Sequence, residues 1–561
     1  MKLKLMVLMG ILAWSLAGAA QAIDLAHAEV KAVDLARLSQ GLAPEVIAPA
    51  VPHRADLAST GSWVDADGWS TWTYAVRVPG ARSLAFHASA TLPVGASLEL
   101  SGEDGRMVKR YVSAELAGTG GHIASVLVPG EAVLLELRVP TDRRAATGLA
   151  IDQLFVGLKA SPLAARALTP RASTASQVNW SCVRSSANEL AGDATVLYTV
   201  NASNPGGSGP GLSQCTGTLM NDVPQDGKLY MLTAAHCGQT NYDPSSITVY
   251  WNRVSSCSAG LQNAMSVDGP TTSGGTTRAL YASGGIQHED QWLIELAGTG
   301  VPTGSEAVYL GWDASDVTKL SGGGPSNIFD VNHAADETKQ YIASTNGPAA
   351  TNPPFLTYTL STGVSKDGAS GSGAVESNQR LFGTLTGSGS DLSGNPQVEF
   401  MPLALSWHGD GGTDSPASST SVWLDPSHTG TLQLDALQLP SAPTVSVSVS
   451  PTSVTVGTSY TVTWSSTGAT SCIASGAWSG SQALNGTLRV TPTASGDFTY
   501  DLSCNNAGGT TRNAATEVVT PSTSGSSGAS GSGGGGGGGS FGLLSLTGLA
   551  ILRAARRRRV Y

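Results

Sequence analysis

Charge is scarce in this 561-residue chain: Asp, Glu, Lys and Arg together supply 13% of it, and the formal net charge is −10. Phosphate binding needs clustered Lys and Arg, and no such cluster lies in the part expected to fold, so no nucleic-acid partner is expected. Cysteine is sparse too. Cys182, Cys215, Cys237, Cys257, Cys472 and Cys504 form no CxxC pair of the kind that serves zinc or redox chemistry. No His, Asp and Glu cluster has metal-ligand spacing, so neither a metal nor another cofactor is expected. Long charged helical stretches are missing as well. Gly, Ser and Thr are plentiful instead, which suits short strands joined by many turns and points to an all-β architecture. The length exceeds what one core serves and implies three or four folded units.

The chain ends carry targeting features. Lys2 and Lys4, the apolar run Leu5 to Leu16 and the small residues of Ala20-Gln21-Ala22 read as a signal peptide over residues 1–22. Export to an oxidising space follows, where an even cysteine count fits full pairing. At the other end a glycine run, Gly533 to Gly539, precedes an apolar segment from Phe541 to Leu552 and then Arg556 to Arg559. Twelve or so apolar residues are short for a helical span of about 20. The arrangement over 541–561 resembles the Gly-Gly type of sorting tail that a rhomboid-type membrane protease cuts during surface delivery in Gram-negative bacteria. The expected location is therefore secreted or cell-surface associated, with membrane contact only through the signal peptide and this tail.

Between the ends, composition divides the chain. Residues 23–176 hold a stretch, from about Ser59 to Leu158, in which strands such as Ser83 to His87, Ser97 to Leu100 and Ala132 to Leu137 alternate with Pro-Gly turns, predicting a β-sandwich. Ser161 to Ser176, with Arg166 and Arg171, reads as an exposed linker where maturation could cut. Residues 177–439 contain the candidate chemistry. Residues 444–520 alternate as an immunoglobulin-like sandwich in which Cys472 could bridge to Cys504. Residues 521–540 form a Gly/Ser tether.

Three segments of the 177–439 region carry residues suited to nucleophilic catalysis, in the order His, Asp, Ser. Tyr230 to Cys237 (YMLTAAHC) is an apolar strand that ends in small residues and His236. A general base must be an imidazole held at a fixed place, and a rigid strand end provides that. A bridge from Cys237 to Cys215 would staple the His-bearing loop to the preceding strand. His288 to Leu296 (HEDQWLIEL) places Asp290 at the opening of a buried-looking strand, where it could accept the other ring N–H of His236; Glu289 is its rival. Lys366 to Val375 (KDGASGSGAV) puts Ser370 on a glycine-flanked turn, with the N–H groups of Gly368 and Ser370 as the oxyanion hole and Ser372 as the competing nucleophile.

TAAHC, DQWLIEL and GASGSG in this order resemble the chymotrypsin clan of serine proteases. Val249-Tyr250-Trp251-Asn252, Gly311-Trp312-Asp313 and Trp423-Leu424-Asp425-Pro426 resemble its bacterial lysyl-endopeptidase branch. The resemblance implies a double β-barrel, a propeptide ahead of it, a bridge from Cys182 to Cys257, a structural role for His333, and proteins or peptides as substrates for a monomeric endopeptidase. It also exposes a departure. The branch selects lysine with an aspartate a few residues before its late Ser-Trp, here Ser406-Trp407, and Val398 stands at that place. Glu399 could substitute only if the strand shifted by one, and Val364, at the other common S1-base position, is apolar. An uncharged P1 side chain is the expectation. The alternative class is an inactive surface-displayed binding protein acting through the immunoglobulin-like module.

Overall fold

The computed structural model describes residues 28–40, 46–158, 177–204, 209–238, 242–264, 269–282, 289–298, 300–302, 305, 307–316, 323–352, 354–409, 412–440 and 442–521. The expected signal peptide, the Ser161–Ser176 linker and the C-terminal tail lie outside these residues. No helix among the described residues is long and apolar enough to cross a membrane. The architecture is all-β throughout.

The N-terminal unit is a sandwich. One sheet contains β2 (Trp69–Arg77), β4 (Ser97–Gly102) and β5 (Ala132–Pro140); the other contains β1 (Val46–Asp56), β3 (Ser83–Thr91) and β6 (Gly148–Gly157). Strict alternation along β5 turns Leu135, Leu137 and Val139 inward, where they meet Trp72, Leu84, Phe86 and Leu98 in one apolar core. The sandwich starts earlier than its composition suggests, because β1 carries Pro49 and Pro52. Proline donates nothing to a ladder and usually marks an edge strand or no strand at all. Here β1 is flanked on both sides, and register shifts interrupt its pairing with each neighbour.

Two closed barrels follow. The first contains β7 (Thr195–Asn204), β8 (Gly209–Met220), β9 (Tyr230–Thr233), β10 (Thr248–Tyr250), β11 (Thr271–Ser273), β12 (Gly275–Tyr281) and β13 (Gln291–Leu296). β11 and β12 act as one bent strand: β11 pairs with β10, β12 pairs with β13, and the ring closes through β7, β8 and β9. Gly274 makes the corner at φ +82°, a conformation that side chains disfavour. The second barrel contains β14 (Ile328–Asn332), β15 (Gln340–Ser344), β16 (Phe355–Thr359), β17 (Gly373–Val375), β18 (Arg380–Ser390) and β19 (Pro396–Pro402). It closes where the chain beyond β16 bonds back to β15, with Ser361 N–H donating to Ala343 O. This is the chymotrypsin-like double barrel. Each barrel has its own core, and a third cluster, including Trp180, Leu293, Trp312, Leu381 and Trp407, fills the seam between them.

The last unit packs a three-stranded sheet on a five-stranded one around Val462, Tyr500 and Leu502. Its disulfide, Cys472–Cys504, joins neighbouring strands of one sheet, at positions directly opposite each other, rather than the two sheets. Tyr500, four residues before Cys504, bonds through its hydroxyl to that of Tyr460 at 2.6 Å.

Candidate active site

The three chemistry-bearing segments meet at the junction of the barrels. β9 runs in from Tyr230 with every residue buried, and the chain turns at Ala235–Cys237 to present His236. The Cys215–Cys237 disulfide ties this turn to β8. Asp290 immediately precedes β13 and its side chain is fully buried. Its neighbour Gln291 reaches across to the second barrel, donating to Met401 O at 3.0 Å and to Thr384 Oγ1 at 3.2 Å. That cross-link fixes where β13 begins, and with it the carboxylate.

Both oxygens of Asp290 serve His236. Oδ1 accepts the backbone N–H of His236 and Oδ2 accepts from ring Nδ1, each at 2.8 Å. A carboxylate that takes Nδ1–H fixes the tautomer and makes Nε2 the ring's proton acceptor. Ser370 comes beside this pair: its carbonyl oxygen lies 3.9 Å from Cys237 Sγ and accepts from Thr216 N at 2.9 Å. Ser370 is partly exposed, whereas Ser372 is fully buried, its Oγ 2.5 Å from Asp330 Oδ2. Of the two serines, only Ser370 presents surface to a substrate.

The oxyanion-hole candidates are oriented by their neighbours. Asp367 O accepts from Ala335 N at 2.7 Å, and Ala369 O accepts from Ser372 N at 3.1 Å. In a trans peptide the N–H points opposite the C=O, so tying these two carbonyls aims the N–H groups of Gly368 and Ser370 the other way. Neither N–H donates to a partner among the described residues. Thr216 supports the loop from beneath, its Oγ1 donating to Gly368 O at 2.8 Å and accepting from His333 N at 3.1 Å. Gly368 (φ +90°) and Gly371 (φ +84°) are needed as glycines; a Cβ on Gly371 would sit 2.5 Å from Thr216 O and 2.0 Å from Thr233 Oγ1.

Sequence reasoning missed the buttress under this turn. Asp330 accepts from Ser372 on one oxygen and from Asn332 Nδ2, at 2.8 Å, on the other; Asn332 Oδ1 in turn accepts from Ala334 N. Burial pushes the Asp330 carboxyl up to about 7. His333 is also fully buried, which pulls its pKa down to about 3, and its Nδ1–H donates to Glu337 O at 3.0 Å. Its place here is structural. His288 lies outside the described residues.

The specificity candidates separate by face. Val398 is fully buried in the cluster that includes Ala369, the residue before Ser370, with Tyr358 and Leu360. Glu399 points the other way, towards Thr357 Oγ1 at 3.4 Å. Val364 is partly buried. The cysteines pair as Cys182–Cys257, Cys215–Cys237 and Cys472–Cys504, and none of the six is free. No group of three or more His, Cys, Asp or Glu among the described residues is arranged to hold a metal ion.

The family model described as the C-terminal domain of lysyl endopeptidase matches residues 171–399. This stretch is similar to a serine protease family. The match spans His236, Asp290, Ser370 and Val398, and stops short of both sandwiches. Among solved structures, an inactivated protease paralogue of the scabies mite is 12% identical, covering 38% of this chain and 89% of its own, with a TM-score of 0.26. A Glu endopeptidase is 16% identical, covering 41% and 92%, with a TM-score of 0.24. Chymotrypsin of Cellulomonas bogoriensis is 12% identical, covering 33% and 83%, with a TM-score of 0.18.

Proposed function

We propose that this chain is a secreted serine endopeptidase that cleaves peptide bonds through an acyl-enzyme. The observation that carries the reading is the double hydrogen bond from His236 to the buried Asp290, placed beside the turn that bears Ser370. In this reading Ser370 attacks the scissile carbonyl while His236 Nε2 takes its proton. The oxyanion is met by the N–H groups of Gly368 and Ser370, and His236 returns the proton to the leaving amine. Asp290 stabilises the imidazolium that forms in between. Water then repeats the sequence and releases the acyl product.

At the S1-base position that the resemblance assigns to it, Val398 offers no partner for an ammonium, and an unpaired buried charge would cost several kcal/mol. Glu399 faces away from it, so the substrate proposed is a protein or peptide with an uncharged P1 side chain. Three disulfides suit an oxidising, extracytoplasmic location. Surface delivery, with removal of the Gly-Gly-type tail by a rhomboid-type protease, rests on residues 533–559 alone.

The test is labelling with a fluorophosphonate, which reacts only with an activated serine. The mature chain should label at Ser370 and digest casein, and Ser370→Ala should lose labelling together with about a million-fold of kcat. A mature wild-type chain that neither labels nor digests would sink the reading and leave the chain a binding protein.

A further inference from the structure

The N-terminal sandwich does not meet the first barrel as a separate body. β1 pairs with β6 of the sandwich along one edge and with β8 of the barrel along the other, Ala48 opposite Leu212 and Val46 opposite Ser213. One twelve-stranded sheet therefore runs through both units. Side chains from both sides fill a single core, in which Ala48, Val126 and Phe155 of the sandwich pack with Leu197, Leu212 and Tyr250 of the barrel, all at most 5% exposed. Polar contacts rim it: Thr248 Oγ1 and Ser273 Oγ both donate to Ala124 O, at 3.1 and 3.3 Å, and Asn201 Nδ2 donates to Gln153 Oε1 at 3.3 Å.

We infer that the sandwich is a lasting, non-covalent subunit of the protease: after the linker is cut it stays seated on the β8 edge. Strand addition supplies main-chain hydrogen bonds that do not depend on the linker, and the shared core supplies the apolar burial that obligate interfaces use. Detachment would strip β1 of a neighbour and leave the Gly211–Ser213 edge and an apolar patch bare to water, a state that folded proteins avoid. The seat is also close to the catalytic site. Gly211–Ser213 leads directly into Cys215, the anchor of the His236 turn. A sandwich that remains there pairs with the same strand that anchors the His236 turn. The inference adds to the protease reading that the linker is cut, and its test does not need the chain to have activity.

A full chain with Ser370→Ala would carry a recognition site for a sequence-specific protease inserted between residues 161 and 176. After complete cutting by that added protease at neutral pH and 0.5 M NaCl, gel filtration and native mass spectrometry should show one species holding both fragments. The amide of Leu212, which faces β1 opposite Ala48, should exchange hydrogen as slowly as before the cut. Leu212→Asp, which places a carboxylate in the shared core, should turn the cut product into two species. Fragments that separate without any substitution overturn the inference. So does association in which the Leu212 amide of the otherwise unsubstituted chain loses protection, and that measurement stands even where Leu212→Asp does not fold.

Discussion

Asp330 shows how a residue with no motif can govern a site. Its carboxyl is fully buried, faces Ser372 and Asn332, and has no cation among the causes of its shift, so burial raises it from 3.8 to about 7. An acid raised by folding contributes stability that is whole below the unfolded pKa and is lost as pH rises towards the folded value. Between pH 4 and 8 the loss is about 2–4 kcal/mol. An asparagine side chain at this position would have the shape and hydrogen-bonding pattern of the protonated acid, donating to Ser372 and accepting from Asn332. In a Ser370→Ala background, Asp330→Asn should therefore match its parent in thermal unfolding at pH 4.5 and melt several degrees higher at pH 8. A variant less stable at pH 8 would show that the nucleophile turn needs the ionised form.

The candidate triad was legible because each member sits in a local signature: small residues and a cysteine around His236, apolar alternation after Asp290, glycines around Ser370. Val398 and Glu399 were assigned to opposite faces by alternation alone, and the structure places them so. Thr216, Ala335 and Asp330 were not legible. Their partners come from segments far away in the chain, and a threonine beside a cysteine, or an aspartate inside an apolar strand, carries no local mark of what it will meet.

At the scale of elements, the His-bearing turn depends on β8 through a covalent link. The Cys215–Cys237 bridge closes a loop of 22 residues, and loops of that size gain about 3 kcal/mol from closure. The bridge also holds Cys237 against the Ser370 carbonyl, so removing it should loosen the site before the barrel melts. Cys215→Ala with Cys237→Ala should lower the unfolding midpoint by roughly 5–10 °C. Its kcat should fall more than its KM rises, measured on a small ester substrate. A double variant with the parent's kcat would show that hydrogen bonds alone position the turn.

Most strands of both sandwiches announce themselves by alternation; β1 does not. Pro49 and Pro52 withhold two N–H groups, which argues for an edge, yet the strand lies inside a sheet. Its ladders on both sides are interrupted by register shifts. Local propensity was overridden by what two separate units offer to the same segment, and no window of sequence contains that information.

At the scale of the whole molecule, the joint between sandwich and barrel has its own acid sensitivity. His87 on β3 packs edge-on against Phe155 of the shared core, and its Nε2 is buried with no partner among the described residues. Burial is the main reason its pKa falls from 6.5 to about 4. His122 adds a small repulsion, and Asp243, reaching in from the barrel, offsets part of the fall. For a base lowered by folding, stability is intact above about pH 6.5 and is lost as pH falls towards 4, because the unfolded or released form takes up a proton first. The loss is about 2 kcal/mol, some thirtyfold in an equilibrium constant. The cut two-chain complex should therefore hold together at pH 7 and dissociate measurably at pH 4.5, followed by native mass spectrometry across a dilution series. His87→Gln, uncharged at both pH values, should bind alike at both. If the parent complex is as tight at pH 4.5 as at pH 7, the ring is already hydrated in place and the acid response belongs elsewhere.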